Sequence, residues 1–337
     1  MWPKEQGARV GREVSTSTAR DAAGFGRSKI AVLVPCYNEE IAIAQVVRDF
    51  RVALPGAAIF VYDNNSADNT AAFARAAGAE VLHEKRQGKG FVVRRMFSDV
   101  EADIYVLVDG DATYHAASAP AMIEHMLDGQ FDMVVASRVE RGEGAYRAGH
   151  RAGNRLLTAF VAAVFGSGFN DVLSGYRVFS RRFVKSFPVL SGGFEIETEL
   201  TVHALDLGLA VSEMETPYHP RLAGSASKLH TWRDGFRILW TIVQLYRAER
   251  PLPFFSLIGI ALAAISVVLA IPVFVTFVET GLVPRLPTAI LSSGLMGLAF
   301  LSIGVGLVLD TVTRGRREVK LLAYLAQRAP AHESVRG

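Results

Sequence analysis

V-L-V-D-G-D-A-T, from Val106 to Thr113, is an apolar run that ends in two aspartates one residue apart. A buried strand that stops at Asp109 and Asp111 delivers two carboxylates to one edge of a sheet. Oxygen ligands packed that closely suit a hard divalent cation, Mg²⁺ or Mn²⁺. A cation held there neutralises a departing diphosphate. D-x-D by itself also occurs in ordinary turns, so the neighbouring segments decide its meaning.

Upstream, Lys29 to Pro35 (K-I-A-V-L-V-P) reads as a buried strand, followed by C-Y-N-E-E and a helical pattern from Ile41 to Leu54. Ala58 to Tyr62 is a second strand, ending in D-N-N-S-A-D-N-T, where Ser66 or Asp68 is placed to cap the next helix. Glu80 to His83 and Ile104 to Val108 read as a third and a fourth strand, and Met133 to Ala136 as another downstream. Strands alternating with helices imply an α/β fold with a parallel sheet covered on both faces. Ligands of such sheets bind beyond the carboxyl ends of the strands. Pro35 to Glu39, Asp63 to Ser66 and Asp109 to Asp111 all fall on that edge.

The 337 residues, 50% of them hydrophobic, allow one large α/β domain and an appendage. A formal net charge of +3 gives no bulk electrostatic case for nucleic acid. The single cysteine, Cys36, excludes an internal disulfide framework and reads as a buried bystander at a strand end. Residues 1–27 hold no apolar run of the kind a secretory signal needs and read as a flexible tail.

Phe254 to Phe277 and Ala289 to Leu309 carry no charge. Each is long enough to cross a hydrocarbon core of about 30 Å. Pro272 lies inside the first, a position that can kink it. Arg247 and Arg250 precede the pair, Arg314, Arg316, Arg317 and Lys320 follow it, and the loop between holds only Glu279 and Arg285. The positive-inside rule puts both flanks, and the large N-terminal domain, on the cytoplasmic face of the membrane. Between domain and spans, Phe236, Leu239, Trp240, Val243, Leu245 and Tyr246 recur at helical spacing, framed by Arg233, Arg237, Arg247 and Arg250. That pattern suits a helix lying among lipid headgroups, or one packed on the domain. The expected division is a tail (1–27), a nucleotide-binding domain (28–230), an interfacial helix (231–252), two transmembrane helices (253–310) and a cytoplasmic tail (311–337).

Taken together, V-P-C-Y-N-E-E, D-N-N-S-A-D-N-T, G-K-G, D-G-D, A-S-R, S-G-Y-R-V-F and R-L-A-G-S-A-S-K resemble the motifs of family 2 glycosyltransferases. More narrowly they are similar to the polyprenyl-phosphate glycosyltransferases, the group of the dolichol-phosphate mannose and glucose synthases. The likeness runs from Lys29 to Lys228 and implies a GT-A nucleotide-sugar-binding fold. It implies that Pro35, Tyr37 and Glu39 hold the nucleoside; Pro35 as a strand end and Glu39 as a helix first turn are the structural alternatives. Asp63 and Asn64 stand where the family usually has two acidic residues, so one contact there is neutral. Lys89, within Q-G-K-G, stands between glycines that permit close approach to a phosphate or sugar, or else in a plain loop before a helix. Asp109 and Asp111 become the carboxylates for metal and donor phosphate, with Thr113 where mannose synthases carry a glutamine.

By the same resemblance Arg138 and Arg151 grip the acceptor phosphate, for which a guanidinium fork is well shaped. Asp171 reaches the sugar or pairs with Arg177. Glu195 and Glu197 contact the sugar or complement a helix dipole. Arg221 and Lys228 close over the diphosphate or bind anionic lipid. Arg141 and Arg147 read as solvated charge. The implied reaction is inverting transfer of one hexose, with Mg²⁺ or Mn²⁺, from a UDP- or GDP-linked sugar to a polyprenyl phosphate at the cytoplasmic membrane face. The implied partners are the nucleotide sugar, the lipid acceptor, the bilayer and further copies of the chain, as a tetramer. A processive polysaccharide synthase is one alternative, but it carries Q-x-x-R-W, whereas Gln244 is followed by Leu245, Tyr246, Arg247 and Ala248. A non-catalytic scaffold of the same fold is another, against which the intact D-x-D pair stands.

Overall fold

Alternation along the central strands sets the layering. The computed structural model describes residues 28–140, 158–163, 169–193, 195–222, 240 and 243–328. Seven strands among them form one sheet: β1 (Ile30–Cys36), β2 (Ala58–Asp63), β3 (Glu80–His83), β4 (Ile104–Leu107), β5 (Met133–Glu140), β6 (Arg177–Ser180) and β7 (Val211–Tyr218). Their order is β3-β2-β1-β4-β6-β5-β7. Leu33, Tyr105 and Leu107 face one side, where they pack with Val93, Met96 and Phe97 of α3 (Lys89–Asp99). Phe183 of α5 (Arg181–Ser186) and Leu200 of α6 (Ile196–Leu207) complete that layer. Val32, Val34 and Val106 face the other side, against Val47 and Phe50 of α1 (Ile43–Ala53) and Met122 and Ile123 of α4 (Ala119–Asp128). Both faces of β1 and β4 are thus covered, which is why these strands read as unbroken apolar runs.

Two expectations are corrected. The sheet is mixed, because β6 runs antiparallel to both β4 and β5. The residues of a strand carry no direction, and β6 begins at Arg177, opposite Leu107 at the carboxyl end of β4. The cap of α2 (Thr70–Ala76) also differs: Asn69 holds the N-cap position and its side chain makes no capping bond. Asp68 Oδ1 instead accepts from the Thr70 amide at 3.0 Å and the Thr70 hydroxyl at 2.5 Å. Ser66 Oγ accepts from the Asn38 amide at 2.9 Å, and Thr70 Oγ1 from the Glu39 amide at 2.8 Å. The turns after β1 and β2 are therefore stitched to one another.

Two long apolar helices follow, α7 (Pro251–Thr280) and α8 (Leu286–Leu325), and both are candidate membrane spans. Ser266 Oγ donates to the Ser292 carbonyl at 2.6 Å and Ser302 Oγ to the Phe255 carbonyl at 2.8 Å, closing the hairpin. Helix α7 continues through Pro272. Residues 311–325, expected as the start of a tail, are a direct continuation of α8. Residues 243–249 are helical, with Trp240 and Val243 exposed. Residues 231–239, 241 and 242 of the expected interfacial helix, Phe236 and Leu239 included, lie outside the described residues, as do residues 1–27, and its last two, Pro251 and Leu252, open α7.

Candidate active site

The D-x-D segment leaves β4 and turns sharply. A Cβ on Gly110 would collide with Cys36 Sγ, so only glycine lets the backbone pass that buried thiol. Ala112 sits at φ 57°, in the left-handed region that disfavours a Cβ. This kink folds Thr113 back, so that its amide (3.2 Å) and its hydroxyl (2.6 Å) both donate to Asp111 Oδ1. Oδ2 of Asp111 meets Arg221 Nη2 at 2.6 Å. Arg221 arrives there because the end of β7 is tied to the same loop. Tyr114 and Tyr218 form a bridge, and the His219 amide donates to the Thr113 carbonyl at 2.8 Å.

Lys89 opens α3 and lies between two carboxylates, 2.5 Å from Asp109 Oδ1 and 2.5 Å from Glu197 Oε1. Burial alone would favour neutral lysine, but the two carboxylates prevail and hold the ammonium well above its usual range. Burial, with Asp109 nearby, raises the Glu197 carboxyl, and Lys89 pulls against that rise. One ammonium thus serves two acids. Asp109 keeps 29% of its side chain exposed at the mouth of the site, whereas Lys89 keeps 10%. The glycines on either side of Lys89 also let backbone carbonyls come close. Gly88, at φ 139°, lies against the Gly192 carbonyl, and Gly90 against that of Ser191.

Pro35 and Tyr37 end β1 and begin its turn, with Tyr37 exposed, and Glu39 follows partly buried. Asp63 Oδ2 lies 3.1 Å from His83 Nδ1 and accepts from the Ser66 amide at 3.3 Å. Its buried Oδ1 has no hydrogen-bond partner among the described residues. Asn64, expected at the nucleoside side, also clamps a loop. Its amide nitrogen donates to the carbonyls of Glu84 (2.9 Å) and Arg86 (2.7 Å), and its oxygen accepts from the Gly88 amide at 2.7 Å.

Arg138, near the end of β5, forms a fork with Asp171 at 2.6 and 2.7 Å. The alternative pair of Asp171 with Arg177 is not formed. Arg177 is fully buried and donates to the Ser174 and Val172 carbonyls and to Thr201 Oγ1, at 2.9, 2.6 and 2.9 Å. Burial pushes its guanidinium down to about 10. Arg151 and Lys228 lie outside the described residues, as do Arg141 and Arg147. Glu197 pairs with Lys89 and Asp171 with Arg138. Their spacing in sequence gives no sign of this, because the sheet order brings them to Lys89 and Arg138.

The donor set bears on a metal. No group of three or more His, Cys, Asp or Glu side chains that could hold a metal ion occurs among the described residues. Asp109 and Asp111 supply two hard oxygen ligands, and each now faces a nitrogen cation at 2.5 or 2.6 Å. Two carboxylates fit Mg²⁺ or Mn²⁺ bound together with substrate phosphates, which complete the shell.

Residues 31–187 match the domain described as glycosyl transferase family 2. The chain is 33% identical over 279 residues to glycosyltransferase AglJ of Haloferax volcanii, covering 82% of this chain and 91% of that one. The chain belongs to glycosyl transferase family 2. This glycosyltransferase is also 28% identical over 221 residues to a dolichyl-phosphate hexose transferase of the same organism, covering 66% of this chain and 95% of that one. Among solved structures it resembles glucosyl-3-phosphoglycerate synthase from Mycobacterium tuberculosis in complex with Mn²⁺, uridine diphosphate and phosphoglyceric acid. That likeness has a TM-score of 0.55 at 25% identity and covers 67% of this chain and 79% of that one. The GT-A-like α/β fold implied by the motifs is therefore the fold of this glycosyltransferase.

Proposed function

We propose that this glycosyltransferase moves a single hexose from a nucleotide sugar to a polyprenyl phosphate at the cytoplasmic face of a membrane, with inversion. The observation that carries the reading is the pair Asp109 and Asp111, each matched by a protein cation, at the carboxyl edge of a sheet whose chain ends in two candidate spans. The Haloferax relative named for dolichyl phosphate supports a lipid acceptor. The Mycobacterium structure with uridine diphosphate and Mn²⁺ supports a UDP-linked donor and a divalent cation.

On this reading Pro35, Tyr37, Glu39 and Asp63 line the nucleoside side, and the orphaned Oδ1 of Asp63 is an acceptor awaiting a donor. Bound to Asp109 and Asp111, Mg²⁺ or Mn²⁺ supplies charge neutralisation for the diphosphate. Arg221 turns from Asp111 to the same diphosphate, joined by Lys228, while Lys89 keeps a positive charge beside Asp109. The acceptor phosphate is already an anion, so its attack on the anomeric carbon needs no strong general base. Arg138, oriented by Asp171, and Arg151 hold that phosphate in line with the leaving group.

A transfer assay on the detergent-purified chain tests this. UDP-glucose, UDP-galactose, UDP-GlcNAc and GDP-mannose, each radiolabelled, are offered separately with undecaprenyl phosphate and Mg²⁺ or Mn²⁺. The expected outcome is label in the lipid phase from one donor, lost in Asp111→Ala. Folded protein that labels lipid from no donor, or an Asp111→Ala variant as active as the wild type, would count against the proposal.

A further inference from the structure

Helix α8 does not stop where its uncharged run ends. From Asp310 to Tyr324 it continues for about 21 Å at 1.5 Å per residue and reaches the end of the sheet opposite the site. There the Tyr324 hydroxyl donates to Asp132 Oδ2 at 2.9 Å, and its ring lies 4.9 Å from the Arg182 guanidinium. Asp132 is buried and also accepts from Arg182 Nε at 2.5 Å and Ser180 Oγ at 2.7 Å. Further back along the helix, Arg317 lies 3.8 Å from Asp206, and Arg316 lies 3.5 Å from Glu249. Those two pairs involve partly exposed arginines and hold little by themselves. The hydrogen bond to a buried carboxylate is the stronger tie.

What the extension grips matters more than how firmly. Asp132 immediately precedes β5, whose far end carries Arg138. Asp206 lies in the last turn of α6, whose first turn carries Glu197, the partner of Lys89. Two elements that present site residues at one end are thus held at the other by the continuation of a candidate membrane span.

We propose that Tyr324, acting through Asp132 and Arg182, is a positioning residue that fixes the height of the site above the bilayer for an acceptor embedded in it. This role rests on the proposed polyprenyl-phosphate acceptor. It makes Tyr324 matter for a lipid that cannot leave the membrane and not for one that diffuses to the site.

The test uses the full chain in lipid nanodiscs with two acceptors, undecaprenyl phosphate in the bilayer and a short water-soluble isoprenyl phosphate. The variants are Tyr324→Ala, Tyr324→Phe, which keeps the ring over Arg182, and Gly315→Pro, which breaks the extension. Gly315→Ala is the control, because a Cβ there meets open space. Tyr324→Ala and Gly315→Pro are expected to raise KM for the bilayer acceptor about fivefold, the size of one hydrogen bond. Tyr324→Phe falls between them and wild type, and Gly315→Ala matches wild type. KM for the nucleotide sugar and for the soluble acceptor stays unchanged. Amide exchange across residues 311–325 should be slow in the wild type and fast in Tyr324→Ala. The role is overturned if both disruptive variants keep the wild-type KM for the bilayer acceptor, or if they lose the soluble acceptor equally. Rapid exchange in the wild type also overturns it. A wild type that transfers to no polyprenyl phosphate would overturn the proposed function and this role with it, whereas transfer with unchanged KM in the variants would overturn this role alone.

Discussion

Asn64 differs from aspartate by a single NH₂ group, and the structure uses both of its hydrogens, on the carbonyls of Glu84 and Arg86. A carboxylate there would face two carbonyl oxygens it cannot bond, beside the buried acids Asp63 and Glu84. Asn64→Asp is therefore expected to destabilise the fold by about 2 kcal/mol, read from chemical denaturation; an unchanged midpoint would show that the 84–88 loop is held otherwise. Lys89 makes the complementary case. Lys89→Met leaves Asp109 and Glu197 without their shared ammonium, at a cost of about 3 kcal/mol and with loss of transfer. A variant that keeps both its stability and its activity would remove Lys89 from the site. Asp63, Lys89, Asp109, Asp111 and Arg138 could be singled out in the sequence because strand ends and turns are local signals; Lys89 opens α3 and Arg138 lies within β5. The sequence could not show that Lys89 pairs with a glutamate 108 positions away, or Arg138 with Asp171 33 positions away, since such pairs depend on sheet order.

At the scale of elements, α6 carries a residue that makes the molecule acid-sensitive. His203 is buried against Phe183 and Phe187, with Nε2 3.2 Å from Ser186 Oγ. Burial, aided by the charge of Lys320 on α8, lowers its pKa to about 3. Unfolded, it titrates near 6.5, so below that pH the unfolded chain takes up a proton that the folded chain refuses. From His203, stability is expected to be full above about 6.5 and to fall as pH drops, by about 2 kcal/mol at pH 5, levelling only near 3. The unfolding midpoint in detergent should follow this slope between pH 7 and 5, and His203→Gln should flatten it; a variant with the wild-type slope would assign the acid sensitivity elsewhere. None of this was visible in the sequence, where His203 is one of eight histidines. The α/β alternation was visible, whereas the direction of β6 was not, because buried positions mark a strand's faces and not which way its chain runs.

For the whole molecule, α7 and α8 predict that the chain stays in the membrane pellet through alkaline carbonate washing; release into the supernatant would mean that the pair is covered by protein instead. Their uncharged runs were plain in the sequence. The true end of α8 was not, since Asp310, Arg314, Arg316 and Arg317 look like the close of a span while the helix runs on beneath them. That unbroken rod has a consequence for the lipid itself. A span longer than the local hydrocarbon thickness leans over, and a stiff continuation hands the lean on to whatever is bolted to its end. Acyl-chain length then becomes an input to the catalytic domain, so that the enzyme would work as a gauge of bilayer thickness as well as a catalyst.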